Sequence, residues 1–180
     1  MRTIISLILA IAFAESLAAQ PIVRIGNFTF VLAFAPTNSA DSVREYIPKG
    51  ESLNHWSRMA SVRIFPKEKN PRDYLNRVGD LVAQSNPAAR GQLLVNDKTG
   101  DDILDFLMFT ADDTTAEWNL MRARYEEGKG LVVFQYAVRF YTVDENLAPA
   151  INAERLKMIE PFGRATFEEI KETNKSPEPN

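Results

Sequence analysis

The sequence predicts an α+β domain: an antiparallel sheet of about six or seven strands flanked by two main helices, at about 70–84 and 147–159. Three observations predict it. Runs rich in Val, Ile and Phe alternate with a period of two, as half-buried strands do. Four such runs follow one another after residue 90 with hairpin-length connections, which favours an antiparallel meander. Two stretches break that pattern with helical spacing.

Taken in order, Ile22–Ala35 reads as one or two strands, with Phe28, Phe30, Leu32 and Phe34 on one face and Val31, Ala33 and Ala35 on the other. Pro36-Thr37-Asn38-Ser39 breaks the run. Val43–Ile47 is a short strand candidate stopped by Pro48-Lys49-Gly50, Glu51–Trp56 reads as a short helical turn, and Ser57–Phe65 alternates as a strand. The first long helix has Asn70 to cap it, Pro71 at its first position and Asp73 at its positive end. Tyr74, Leu75, Val78, Leu81 and Val82 then share one face, and Asn86-Pro87 ends the helix. The meander follows through Gly91–Asn96, Ile103–Thr110, Glu117–Tyr125 and Leu131–Tyr141. Leu147–Ile159, with Pro149 in its first turn, is the second helix.

The two ends carry a different kind of text. Arg2 precedes an apolar run from Ile4 to Ala14, interrupted only by Ser6, and Ser16-Leu17-Ala18-Ala19 supplies small residues. Eleven residues at ~1.5 Å each span about 17 Å, well short of a hydrocarbon core of ~30 Å. Residues 1–19 therefore read as a cleaved signal peptide, which places the chain in a periplasm or outside the cell with no membrane span after cleavage. Lys171–Asn180 has two prolines and no apolar residue and reads as a disordered tail. Residues 20–170 read as one domain.

Composition narrows the function. The chain has 180 residues, a net charge of −3 and no cysteine. A weakly acidic chain gives no electrostatic footprint for nucleic acid. Without cysteine there are no disulfides, zinc-thiolate sites or thiol chemistry. The glycines at 26, 50, 79, 91, 100, 128, 130 and 163 form no dinucleotide or phosphate-binding fingerprint. Asn96–Asp102 lacks calcium-loop spacing, because Lys98 would project a cation where a ligand oxygen is needed. It reads as a hairpin turn, and Asp112-Asp113-Thr114-Thr115 reads the same way. No catalytic residue, metal ligand or cofactor is assigned.

Four residues stand out as binding candidates. His55, the only histidine, adjoins Trp56; it is a partner contact or general base, or else a surface or packing residue. Trp56 reads as chiefly structural, closing a core edge, and secondarily as a contact. Arg122 and Arg124 interrupt the strand carrying Trp118 and Leu120; they form either its polar face or a contact for an anion or acidic peptide. The segment from Tyr46 to Met59, with Tyr46, Pro48, Gly50, Glu51, Trp56 and Met59, resembles the pattern Y-x-P-x-G-E-x-x-x-x-W-x-x-M of uncharacterised exported bacterial proteins. Those resemble the PsbP-like fold, named for an extrinsic subunit of photosystem II. The resemblance implies an antiparallel sheet flanked by helices and a binding role. The expected function is an exported non-enzymatic binding module with a protein or peptide partner. A carrier of a small apolar ligand, drawing on eleven phenylalanines, is the alternative, followed by a hydrolase.

The mature protein is expected to begin within a residue or two of Gln20. N-terminal sequencing of exported material checks this; an intact Met1 there would show that residues 1–19 are retained.

Overall fold

A computed structural model describes residues 21–36, 42–96 and 100–164. The expected signal peptide at 1–19, the tail at 171–180 and the middle of the 96–102 turn lie outside the described residues. The chain builds one antiparallel sheet of eight strands: β1 (Ile22–Ile25), β2 (Phe28–Phe34), β3 (Ser42–Ile47), β4 (Arg58–Phe65), β5 (Arg90–Val95), β6 (Asp102–Phe109), β7 (Ala116–Glu126) and β8 (Gly130–Phe140). Helix α1 (Pro71–Ser85) lies between β4 and β5, and α2 (Leu147–Arg164) follows β8. The spatial order β1-β2-β3-β4-β8-β7-β6-β5 makes two meanders joined at β4–β8. The strand count exceeds the expected six or seven because Ile22–Ala35 is a hairpin. Gly26, at φ +54°, and Asn27 form a two-residue turn, and Gly supplies the positive φ that such a turn needs at its first central position.

Each helix covers one face. Leu75 of α1 is buried, with Tyr74, Val78 and Val82 beside it, against Leu104, Phe106, Met121, Ala123, Leu131 and Val133. Leu81, expected on this apolar face, is instead 64% exposed. The cap reads as expected: the Asn70 side chain accepts from the Asp73 N–H at 3.2 Å. On the opposite face α2 contributes Leu147, Ile151, Met158 and Phe162 to a core with Val23, Ile25, Phe30, Tyr46, Trp118, Leu120, Phe134 and Tyr136. Burying a side chain of this size removes roughly 1.5–3 kcal/mol of exposure cost.

The sheet curls around α2. At one edge Gly26 of the β1–β2 turn lies against α2, so that a Cβ there would sit 3.6 Å from the Pro161 Cβ. Near the other edge Gly163 meets Asn96 and Ile103. The helix thus bridges the two ends of an eight-stranded sheet. It also runs past the expected end at Ile159, through Pro161 to Arg164. A proline removes the N–H that the carbonyl of residue 157 would accept, yet the helix continues to Arg164, and Arg122 and Asn96 donate to carbonyls of its last turn.

Two further readings change. Phe34 does not share the face of Phe28, Phe30 and Leu32. The β2–β3 register shifts between Leu32, opposite Tyr46, and Phe34, opposite Glu45. That bulge turns Phe34 to the other face of the sheet. Residues 51–56 are not helical; Ser52 and His55 form an isolated antiparallel bridge.

The β7–β8 turn sets a sharp test. Gly130 has φ +87°, and a Cβ there would come 2.5 Å from the Phe65 carbonyl oxygen and 2.6 Å from Pro66 Cα. Gly100 has φ +72° but open space around it. Gly100→Ala is expected to cost about 1 kcal/mol from backbone strain alone, and Gly130→Ala more than about 2 kcal/mol from strain and clash together. Urea unfolding of both variants checks the ranking; equal midpoints would refute the close approach.

Candidate functional site

The face that carries α1 is divided. Helix α1 lies over β5, β6 and β7, above the apolar half made by Met121, Ala123, Leu131 and Val133. Beyond it the same face turns polar. Gln135 donates to Asn119 Oδ1 at 2.7 Å, and Ser61 Oγ lies 3.4 Å from Gln135 Oε1, giving a track across β4, β8 and β7. Arg139 pairs with Glu117 at 3.0 Å, and Arg63 lies 4.0 Å from Glu45. Asn119 and Ser61 are fully or almost fully buried, so their polar atoms need these partners. Gln135 and the two ion pairs, together with Phe34, Leu53, Trp56 and Met59, line a depression of about 400 Å³. Phe34 is 43% and Leu53 38% exposed at its rim.

The loop from Pro48 to Ser57 builds one wall, and it explains the sequence motif found there. The Glu51 N–H donates to the Pro48 carbonyl at 3.2 Å, and Gly50 takes φ +92°. Ser52 and His55 exchange backbone hydrogen bonds of 3.2 and 3.0 Å. The Glu51 carboxylate accepts from the Ser57 N–H at 2.6 Å and its hydroxyl at 2.7 Å, closing the loop. Trp56 is then driven into the sheet against Ile47 and Ala137, with the Arg139 guanidinium 4.0 Å above its ring. Tyr141 locks the backbone: its hydroxyl accepts from the Trp56 N–H at 2.9 Å and donates to the Trp56 carbonyl at 3.0 Å.

The four residues singled out in the sequence fall in two places. Trp56 is 2% exposed and forms part of the wall. His55 is exposed and stacks on Tyr141 with ring centroids 4.3 Å apart. Arg122 and Arg124 lie toward the other end of β7. Arg122 is fully buried; it donates to the carbonyls of Phe162 and Gly163 at 2.8 and 3.1 Å and lies 3.4 Å from Asp101. Burial pulls its pKa down, Asp101 opposing and Arg124 adding to the shift. Arg124 pairs with Asp101 at 3.1 Å. Both arginines therefore serve the end of α2 and its neighbouring loop, away from His55 and Trp56. The polar track was missed because its members are scattered from residue 45 to residue 139. One signal was available: Glu117 and Asn119 keep the phase of Met121 and Ala123 but not their character.

Three other charged groups anchor the helices. Asp101 and Asp102 are adjacent, so they project to opposite faces: Asp101 reaches Arg122, while Asp102 takes a two-pronged bond of 2.7 Å from Arg72 on α1. Asp105, 1% exposed, accepts from Trp118 Nε1 at 2.7 Å and from Arg155 of α2 at 2.9 Å. Arg58 pairs with Glu154 of α2 at 2.7 Å, beside the Tyr136 hydroxyl, whose pKa burial pushes up to about 12. Among the described residues no group of three or more His, Cys, Asp and Glu side chains is placed to hold a metal. Among the same residues no helix is long and apolar enough to cross a membrane.

Fold and site together define an α+β protein whose curled antiparallel sheet carries a helix on each face and a polar depression beside α1. A protein-family model matches residues 17–167 of the 180, and the chain belongs to that family, an uncharacterised bacterial one. No curated protein and no solved structure matches it.

Trp56→Ala is expected to cost about 3–5 kcal/mol, the usual cost of truncating a buried tryptophan. The urea midpoint should fall with little change in m-value. His55→Ala, by contrast, should move the midpoint only slightly, as expected at an exposed position. A Trp56→Ala midpoint equal to that of the unchanged protein would assign the ring to binding rather than to the wall.

Proposed function

We propose that this protein is an exported, non-enzymatic binding module that takes a protein or peptide partner on the polar depression beside α1. One observation carries the reading: a sheet face abruptly exchanges an apolar lining for paired charges, an amide track and two exposed apolar side chains, Phe34 and Leu53. The footprint of α1 accounts for where the lining turns polar, but not for the two large apolar side chains left exposed beside it. Interfaces combine apolar anchors with polar groups in this way, arginine and aromatic residues being enriched among the anchors. Arg139 is held over Trp56 and paired with Glu117 before a partner arrives, which lowers the ordering cost of binding. Export rests on the signal-like residues 1–19. The PsbP-like kinship implied by the Tyr46–Met59 motif fits both the sheet-and-helix architecture and a binding role.

The test is site-specific photocrosslinking in the native compartment. A crosslinker at Phe34 or Leu53 is expected to capture one defined partner, and a crosslinker at Leu81 on the outside of α1 is not. Phe34→Asp in the Leu53 crosslinker background should reduce capture at least about tenfold while the melting temperature holds, since a rim contact of this kind is worth about 1.4 kcal/mol or more. Equal capture at all three positions would refute the assignment.

A further inference from the structure

Strand β5 ends the sheet on one side and β1 on the other, so each turns a row of backbone N–H and C=O groups away from its only neighbour. We propose that β5 pairs with β5 of a second copy of this chain, antiparallel and centred on Leu93, to make one continuous sheet across a two-fold axis.

The ladder fixes which residues of β5 face outward. The Asn96 N–H donates to the Asp101 carbonyl at 2.8 Å, one step beyond the pair Val95–Asp102. On the far side of β6 the Thr110 N–H donates to the Thr115 carbonyl at 2.9 Å, one step beyond the pair Phe109–Ala116. In an antiparallel ladder a residue turns both its backbone groups to one side, and alternate residues turn them to opposite sides. Both bonds give the same phase. Arg90, Gln92 and Leu94 bond to β6, while Gly91, Leu93 and Val95 turn N–H and C=O outward. Among the described residues no strand pairs with that side.

The two edges are built differently. Strand β1 has four residues, follows Pro21 and carries the exposed Arg24. The Leu32 N–H donates to the Pro21 carbonyl at 3.0 Å, so by the same phase only Ile22 and Arg24 turn outward. A short edge with a charge and a proline is blunted against pairing. Strand β5 has six residues, and after Arg90 it reads Gly91-Gln92-Leu93-Leu94-Val95, with neither charge nor proline. Neither helix overhangs it: a groove of about 230 Å³ lies between it and α1, and one of about 310 Å³ between it and α2.

The strand is complementary to itself. A two-fold axis at Leu93 sets that residue against the partner's Leu93, and Gly91 against the partner's Val95. All three outward residues then face outward residues, giving about six hydrogen bonds. Any other two-fold register that opposes outward residues matches fewer of them. Val95 shares the α1 face with Leu93, where it is 57% exposed. Opposite it stands Gly91, which has no room for a side chain of its own because a Cβ would come 3.1 Å from the Phe106 Cβ. The partner's Val95 covers the backbone left bare there. On the α2 face Gln92 meets the partner's Leu94, and Arg90 meets the partner's Asn96. The two Arg90 residues stand six positions apart along the seam, roughly 20 Å, so the strand's only charge opposes no like charge. The contact is isologous and closes on itself, so it makes a dimer rather than a filament. The depression around Trp56 lies beyond β6, away from the seam, and the dimer therefore displays two copies of it. The pairing stands whether or not that depression binds a partner.

Sedimentation velocity over a micromolar concentration series is expected to show monomer passing to dimer. Val95→Pro removes an N–H that points outward and leaves the bonds to β6 intact. It is expected to keep the protein monomeric while the melting temperature holds, and Val95→Lys, which puts a charge on the edge, is expected to do the same. The chain has no cysteine, so a single introduced cysteine reads the register. Leu93→Cys faces itself across the axis, whereas two copies of Val95→Cys stand four positions apart, roughly 13 Å. Under mild oxidation Leu93→Cys is expected to form the linked dimer at least tenfold faster than Val95→Cys. Should Leu93→Cys fail to fold, the two Val95 variants still decide the matter. A chain that stays monomeric throughout the series would overturn the proposal. So would a dimer that survives Val95→Pro, which would assign the contact to another surface, and so would open-ended polymers, which would point to β5 pairing with β1.

Discussion

The structure depends on α2 reaching both ends of a curled sheet. Eight antiparallel strands left flat would expose two edges and two faces. Here the sheet curls until the β1–β2 turn at one end and the β5–β6 region at the other meet the same helix, through Pro161 and Gly163. Phe28, Phe30, Trp118 and Tyr136 fill the space this encloses, with ring centroids 6.2–6.5 Å apart in tilted and edge-on contacts. Because α2 packs against strands far apart in the chain, its docking is a long-range event. The meander β5–β8 needs only local pairing, and its order in space follows its order in sequence. Contacts of low sequence separation close at lower entropic cost, so the meander is the natural platform on which α2 and the β1–β2 hairpin assemble.

Charges hold α2 to that platform, and their energetic meaning is conditional. Arg58–Glu154 and Arg155–Asp105 join the sheet to neighbouring residues of the helix, and Arg122 reaches its last carbonyls. Buried pairs of this kind regain little more than the desolvation they cost, but losing one partner strands the other and costs several kcal/mol. Their effect is on register. A helix slid by one residue would take Arg155 from Asp105 and the last-turn carbonyls from Arg122, whereas apolar side chains alone would tolerate the slip. Asp105 is the sharpest case, since one carboxylate receives Trp118, Arg155 and Gln92 at once.

Much of this was legible in the sequence because local rules decided it. Asn70-Pro71 starts α1, and hairpin-length connections produce the meander. What escaped was decided by geometry at a distance. Nothing in Ile22–Ala35 announces the bulge that turns Phe34 away from Phe28 and Phe30; the register of β3 imposes it. Pro161 looks like a helix stop until the buried side chains that receive its last turn are known. Arg122 was half legible. It keeps the phase of Trp118 and Leu120, so alternation alone puts it on the core face, but only the end of α2 explains how a buried guanidinium is satisfied there.

The same phase argument locates the candidate site. Strands β7 and β8 are each eleven residues long, longer than a helix crossing the sheet can cover. On the face toward α1, β8 reads Leu131, Val133, Gln135, Ala137 and Arg139, while β7 reads Ala123, Met121, Asn119 and Glu117 in the opposite direction. The character changes between Val133 and Gln135 and, on the paired strand, between Met121 and Asn119. Antiparallel register places Ala123 opposite Val133, Met121 opposite Gln135 and Glu117 opposite Arg139, so the border is staggered by one facing pair, with Met121 meeting Gln135 across it. That border follows from the footprint of α1. On the covered side, water is excluded and apolar side chains are favoured. On the other side polar groups lie in reach of solvent and of one another, and the track Ser61–Gln135–Asn119 satisfies those that the Pro48–Ser57 loop and its tryptophan bury. The depression is thus the part of the face that the helix cannot reach, kept polar by the sequence and walled by a loop that Glu51 closes and Tyr141 locks.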